Sequence, residues 1–150
     1  MKTKLLILGF ITLIIAACKK DQYTSKPQIS FDNINSTSIA TGQLLSFSIL
    51  FTDAEGDIQD TLWIQKISKT CPTSTSANFA VKYPVPNFPA SKNLKGYLDI
   101  NFIYNTTGTN YVTIAGCGTK NDSSYFRFVL KDKANNVSDT LVSPIITLLK

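Results

Sequence analysis

Histidine is absent from this chain of 150 residues, glutamate and arginine occur once each, as Glu55 and Arg127, and cysteine occurs three times. Without histidine there is no Ser-His-Asp or Cys-His catalysis, no His-type zinc site and no imidazole proton relay. A carboxylate pair for glycoside hydrolysis would have to come from aspartates. Gly-rich phosphate loops, nucleophile elbows and zinc-type spacings are also missing. These absences point away from an enzyme and leave an aspartate-based hydrolase as the enzymatic alternative. The charges are dispersed, with no basic run of the kind that tracks nucleic acid, so no nucleic-acid partner is expected.

A long hydrophobic run is missing too. The apolar stretch Leu5–Ala17 has thirteen residues, whereas a helix crossing a bilayer core of about 30 Å needs about 20. Met1-Lys2-Thr3-Lys4 precedes it and Ala16-Ala17-Cys18 closes it, the order of a secretory signal over residues 1–17. Ile15-Ala16-Ala17-Cys18 resembles the lipobox of bacterial lipoproteins. That resemblance implies a diacylglycerol on the Cys18 thiol, cleavage before Cys18, and a further acyl chain on the freed amine. Two or three chains hold a protein stably on a membrane where one does so only marginally. The implied location is the cell envelope, at the outer membrane. Lys19-Lys20-Asp21 is similar to the charged export tag of Bacteroidetes-type surface lipoproteins, with Gln22 where a second acid is common. It reads equally as a solvated tether.

Removing residues 1–17 leaves 133 residues, and because Lys2 and Lys4 go with them the formal charge falls from +5 to +3. That length suits one domain with a real core. Residues 18–27 are polar up to Pro27 and read as a lipidated flexible tether. Residues 28–150 are then the domain. Cys71 and Cys117 are the remaining thiols, 46 positions apart. Outside the cytoplasm they are most simply a disulfide. A reactive or metal-binding pair is disfavoured by the lack of histidine and of C-x-x-C spacing.

No segment has a convincing helical period, and strand signals dominate. Leu45, Phe47, Ile49 and Phe51 alternate with Ser46 and Ser48, the period of a half-buried strand. Leu98, Ile100, Phe102 and Tyr104 alternate with Asp99, Asn101 and Ile103, and Phe126, Phe128 and Leu130 flank Arg127. Further strands are expected over 28–34, 61–67 with either face inward, 77–83 at an edge, 111–115, and 137–148 with a bulge or late edge at Pro144. Seven or eight short strands separated by turn signals predict an all-β, antiparallel sandwich or barrel. Phe47–Asp60 and Phe126–Thr140 look like the early strand-loop and final hairpin of bacterial Ig-like and cadherin-like domains. The resemblance implies an antiparallel Ig-like β-sandwich and places Trp63 where such domains often carry a core tryptophan. It says little about function, since the architecture hosts many roles.

Three groups of residues are candidate sites. Asp53, Glu55, Asp57 and Asp60 surround Gly56 and could offer oxygen ligands to Ca²⁺, as acidic loops do in cadherin-like domains. The alternative is a solvated acidic turn with Gly56 at positive φ. Asp132 and Asp139, in the last hairpin, could join only if that turn lies at the same end. The Pro-rich stretch 71–92 carries Phe79, Tyr83 and Phe88. Tyr83 and Phe88, with Tyr97, could stack on sugar rings or grip a peptide, or the loop could tuck its aromatics over the core. The expected role is a non-enzymatic binding, adhesion or structural accessory, with an envelope protein or a glycan as partner. A carbohydrate-binding protein of a glycan-uptake system is the nearest alternative.

Overall fold

The computed structural model describes residues 23–150. The expected signal 1–17, Cys18 and Lys19-Lys20-Asp21 lie outside the described residues. Ten strands follow: β1 (Gln28–Ile34), β2 (Ser38–Ile39), β3 (Leu44–Asp53), β4 (Thr61–Ser68), β5 (Phe79–Pro84), β6 (Leu94–Tyr104), β7 (Val112–Ile114), β8 (Asp122–Lys131), β9 (Leu141–Val142) and β10 (Ile146–Leu148). One sheet has the order β1-β3-β6-β7. The other runs β2-β10-β8-β4-β5, with β9 also on β8. The protein is an all-β sandwich.

Two features depart from a wholly antiparallel sandwich of seven or eight strands. β6–β7 and β10–β2 are parallel pairs. The extra strands are pieces of two or three residues. β2 arises because the chain changes sheets after β1, where the Asn35 amide takes over part of the ladder: its Oδ1 accepts from Ser46 N at 2.8 Å and its Nδ2 donates to Leu44 O at 2.8 Å. The expected strand 137–148 is broken into β9 and β10. Pro144 cannot donate to a ladder, and two serines stand in for the interrupted strand. Ser138 Oγ accepts from Leu130 N and Ser143 Oγ from Phe126 N, each at 2.9 Å.

The core follows from strand parity. Leu45, Phe47, Ile49 and Phe51 are buried from β3, and Phe126, Phe128 and Leu130 from β8. Phe47 lies with its ring centroid 5.0 Å from Phe126 and 5.1 Å from Phe128. Each such buried side chain contributes about 1.5–3 kcal/mol relative to exposure. Parity also settles β4. Leu62 and Ile64 face inward, so Trp63 faces out at 40 % exposure. The core position expected for Trp63 is therefore wrong. It stands instead under Lys82, whose Nζ is 4.9 Å from the ring centroid.

The same parity carries Lys66 into the core, fully buried. Its Nζ lies 2.9 Å from Asp122 Oδ2, with both side chains at 0 % exposure, and donates also to the Ala77 carbonyl. Asp122 accepts further from the hydroxyls of Ser68 and Ser124. Burial alone would raise the Asp122 carboxyl, but the Ser68, Lys66 and Ser124 hydrogen bonds and the lysine charge outweigh it and hold it below the usual carboxylate range. Burial holds the Lys66 ammonium below its ordinary value, and the bond and charge of Asp122 offset only part of that. Ser68 Oγ accepts from Cys71 N at 2.8 Å, which ties this polar knot to the disulfide. Cys71 and Cys117 are bonded, with Cα atoms 5.9 Å apart. Closing a loop of this length stabilises by about 4 kcal/mol in the chain-entropy model.

Candidate functional site: an acidic loop end and an aromatic cleft

The loop after β3 begins at Asp53, the last inward position of that strand. Its carboxylate turns the chain: Oδ2 accepts from Gly56 N at 2.6 Å and from Asp57 N at 3.2 Å. Gly56 has φ +70°, and a Cβ there would come within 2.0 Å of the Ser91 carbonyl oxygen. Glycine is required on both counts. The last hairpin does lie at this end. Lys133 N donates to Asp57 O at 3.0 Å, and the carboxylates of Asp53, Asp57 and Asp132 converge so that one oxygen from each lies within 4.8 Å of the others.

The four loop acids do not act as a set. Asp53 and Asp57 meet Asp132. Glu55 is exposed and accepts from Ser25 Oγ at 2.7 Å. Asp60 turns to Thr61 and to Lys131, whose Nζ is 3.1 Å away, and the Thr61 hydroxyl followed by the lysine keeps its carboxyl below the ordinary value. Asp139 pairs with Lys26 at 2.6 Å. Burial pushes the Asp53 carboxyl up; the Gly56 and Asp57 amides oppose this, and the charges of Asp57 and Asp132 add to it. Gln59, unremarked in the sequence, is 7 % exposed and donates from Nε2 to Gly56 O at 3.0 Å. The signal for it was its chemistry, since an amide carbonyl two residues beyond an acid is an oxygen donor of the same class.

The segment before β1 docks at this end too. Ala54 N donates to Thr24 O at 3.1 Å, and Pro27 is buried. Residues 24–27, expected as the last part of a flexible tether, are thus held against the domain.

The aromatic candidates separate. Tyr83 and Tyr97 line one cleft with Pro84, Pro86, Asp99 and Val112. It opens because β7 covers β6 only at Phe102–Tyr104, while β5 is the edge of the facing sheet. Tyr97 is 57 % exposed, and burial raises the Tyr83 hydroxyl. Phe88 is half-buried against the core, as is Phe79, whose ring lies tilted to Phe102 at 5.8 Å and edge-on to Phe126 at 6.2 Å.

No protein-family model and no curated protein matches the chain. Its chemistry is therefore read from the molecule itself. A second shallow depression lies on the outer face of the larger sheet. The only tryptophan and the only arginine share it, Trp63 from β4 and Arg127 from β8, beside Gln65 and Lys82.

Proposed function

We propose that this chain is a lipid-anchored lipoprotein of the cell envelope, acylated at Cys18, whose sandwich serves as a non-enzymatic binding module at the outer membrane. The observation that carries the binding role is the cleft between the open edges of β5 and β6. It sets an exposed tyrosine, a half-buried tyrosine and two prolines beside a carboxylate and an amide, Asp99 and Asn101. Concave, mostly apolar surfaces with a few fixed polar groups are the usual form of a ligand site. The cleft offers one carboxylate, and Asp99 already accepts from Ser48 Oγ at 2.9 Å, which favours recognition over two-carboxylate hydrolysis. A glycan partner is the specific version of this reading, since Tyr97 presents an exposed ring next to Asp99 and Asn101.

Two measurements test it. Cells grown with labelled palmitate should label the wild type and not Cys18→Ser, and the wild type should stay with membranes through a salt wash. Affinity electrophoresis against a panel of soluble polysaccharides should retard the wild type, with the retardation lost in Tyr97→Ala. An unlabelled wild type would refute the anchor. Retardation unchanged in Tyr97→Ala would refute the cleft, and no retardation by any polysaccharide would refute the glycan version.

A further inference from the structure

We infer that Asp53, Asp57 and Asp132, with the side-chain carbonyl of Gln59, form a Ca²⁺ site that fastens the loop after β3 to the last hairpin. This stands independently of the anchor and of the cleft.

Convergence of acids alone would say little, because exposed acids cluster freely in water. These are not exposed in that way: Asp53 and Asp132 are at 0 % exposure. Among the described residues, three buried side-chain oxygens have no hydrogen-bond partner: Asp53 Oδ1, Asp57 Oδ1 and Gln59 Oε1. All three belong to one seven-residue stretch, and all three are acceptors. A buried polar atom left unpaired costs about 1–3 kcal/mol, more for a charged one, and native structures seldom leave three together. Two of these acceptors belong to carboxylates that converge with a third, Asp132, and acceptor-only chemistry of this kind calls for a cation.

Ion pairs at this end run elsewhere, Lys26 to Asp139 and Lys131 to Asp60. The other atoms of the same groups are already fixed. Asp53 Oδ2 holds the Gly56 and Asp57 amides, the Gln59 Nε2 holds Gly56 O, and Asp132 holds Asn136 through its backbone N at 2.7 Å and its Nδ2 at 2.8 Å. The free oxygens are thus held in place by ligand-independent bonds. Three carboxylates and an amide carbonyl are hard oxygen donors of the kind Ca²⁺ takes, six to eight at a time and in flexible geometry. Mg²⁺ demands near-octahedral order and keeps most of its water. An affinity in the range of extracellular modules, about 10⁻⁴–10⁻³ M, suits so few protein ligands.

Occupation has a structural consequence. The loop receives Thr24 through Ala54 N and Ser25 through Glu55, so an ion there stiffens the surface on which residues 24–26 dock. Thermal unfolding of the full chain, stripped with EGTA, is compared in 10 mM CaCl₂, in 10 mM MgCl₂ and in EGTA. The midpoint should rise by about 5–10 °C with CaCl₂ and by less than half that with MgCl₂. Asp57→Asn, which removes one of the crowded charges, should melt no lower than wild type in EGTA and should lose at least half of the calcium increment. Glu55→Gln should keep the increment. Hydrogen exchange of the wild type gives a reading that needs no variant: amides over 53–60 and 131–137 should slow with CaCl₂ while those over 105–111 do not. An unmoved midpoint, an equal response to Mg²⁺, a full increment in Asp57→Asn, or unchanged exchange over 53–60 would each overturn the site.

Discussion

Replacing Lys66 by methionine keeps most of the stem's packing and deletes the ammonium 2.9 Å from Asp122. Asp122 would retain only the hydroxyls of Ser68 and Ser124, and the Ala77 carbonyl would lose its donor. Breaking a buried pair from one side costs about 3–5 kcal/mol, roughly a fifth or more of the stability of an ordinary domain. At about 3–5 °C per kcal/mol for a chain of this size, the midpoint should fall by about 9–25 °C. Circular dichroism against urea and temperature measures both quantities. In the double variant Lys66→Met/Asp122→Leu the stranded charge is gone, so its loss should be at least 1 kcal/mol smaller than the sum of the single losses. The pH dependence has a definite sign. Asp122 has a folded-state pKa below its unfolded value, so its contribution is full above the unfolded value of about 3.9 and disappears as pH falls through the folded value. Lys66→Met, lacking part of what depresses that carboxyl, should begin to lose stability at a higher pH than wild type. A loss under 1 kcal/mol at pH 7, or an identical acid profile, would refute the account of Lys66 as the partner that Asp122 requires.

Cys71→Ser should lower stability by about 4 kcal/mol, and adding reductant to the wild type should reproduce most of that loss in the same urea titration. Gly56→Ala should cost about 2 kcal/mol or more, because an L side chain at that φ is strained and its Cβ meets the Ser91 carbonyl; a change below 0.5 kcal/mol would show that the loop can move away. Ser138→Ala and Ser143→Ala should each cost about 1–2 kcal/mol, since each leaves a buried β8 amide unpaired, and the two losses should add.

Strands with strict alternation were legible in advance. Over Leu45–Phe51 of β3, Leu98–Tyr104 of β6 and Phe126–Leu130 of β8 every second residue is apolar and faces inward, and one choice of face is clearly better than the other. The run 28–34 marks β1 to both its ends, Gln28 and Ile34. β4 is ambiguous from its own residues, because Thr-Leu-Trp-Ile-Gln-Lys-Ile sets a tryptophan against a lysine, and each parity buries something unwelcome. What decides it lies on another strand: Asp122 and Ser124 occupy inward positions of β8 opposite the same end of β4, so the lysine side can be satisfied. A polar pair buried by mutual consent is invisible one strand at a time. The acid cluster was partly legible for the same reason. Asp53 and Asp57 are close in sequence, while Asp132 joins only through the Lys133–Asp57 backbone bond. β2 and the break between β9 and β10 rest on side-chain amides and hydroxyls that replace ladder bonds, which no periodicity records.

The outward Trp63 makes the protein its own sensor for one surface. Its indole stands between solvent and the Lys82 ammonium, so emission should already be red-shifted and partly quenched in the native state and should change little on denaturation. Followed instead during a titration with a partner, the same fluorophore reports only on arrivals at the outer face of the larger sheet, over the ground it shares with Arg127. A ligand that settles in the Tyr83–Tyr97 cleft would leave that signal dark, so one cuvette measurement assigns a binder to one wall of the sandwich or the other.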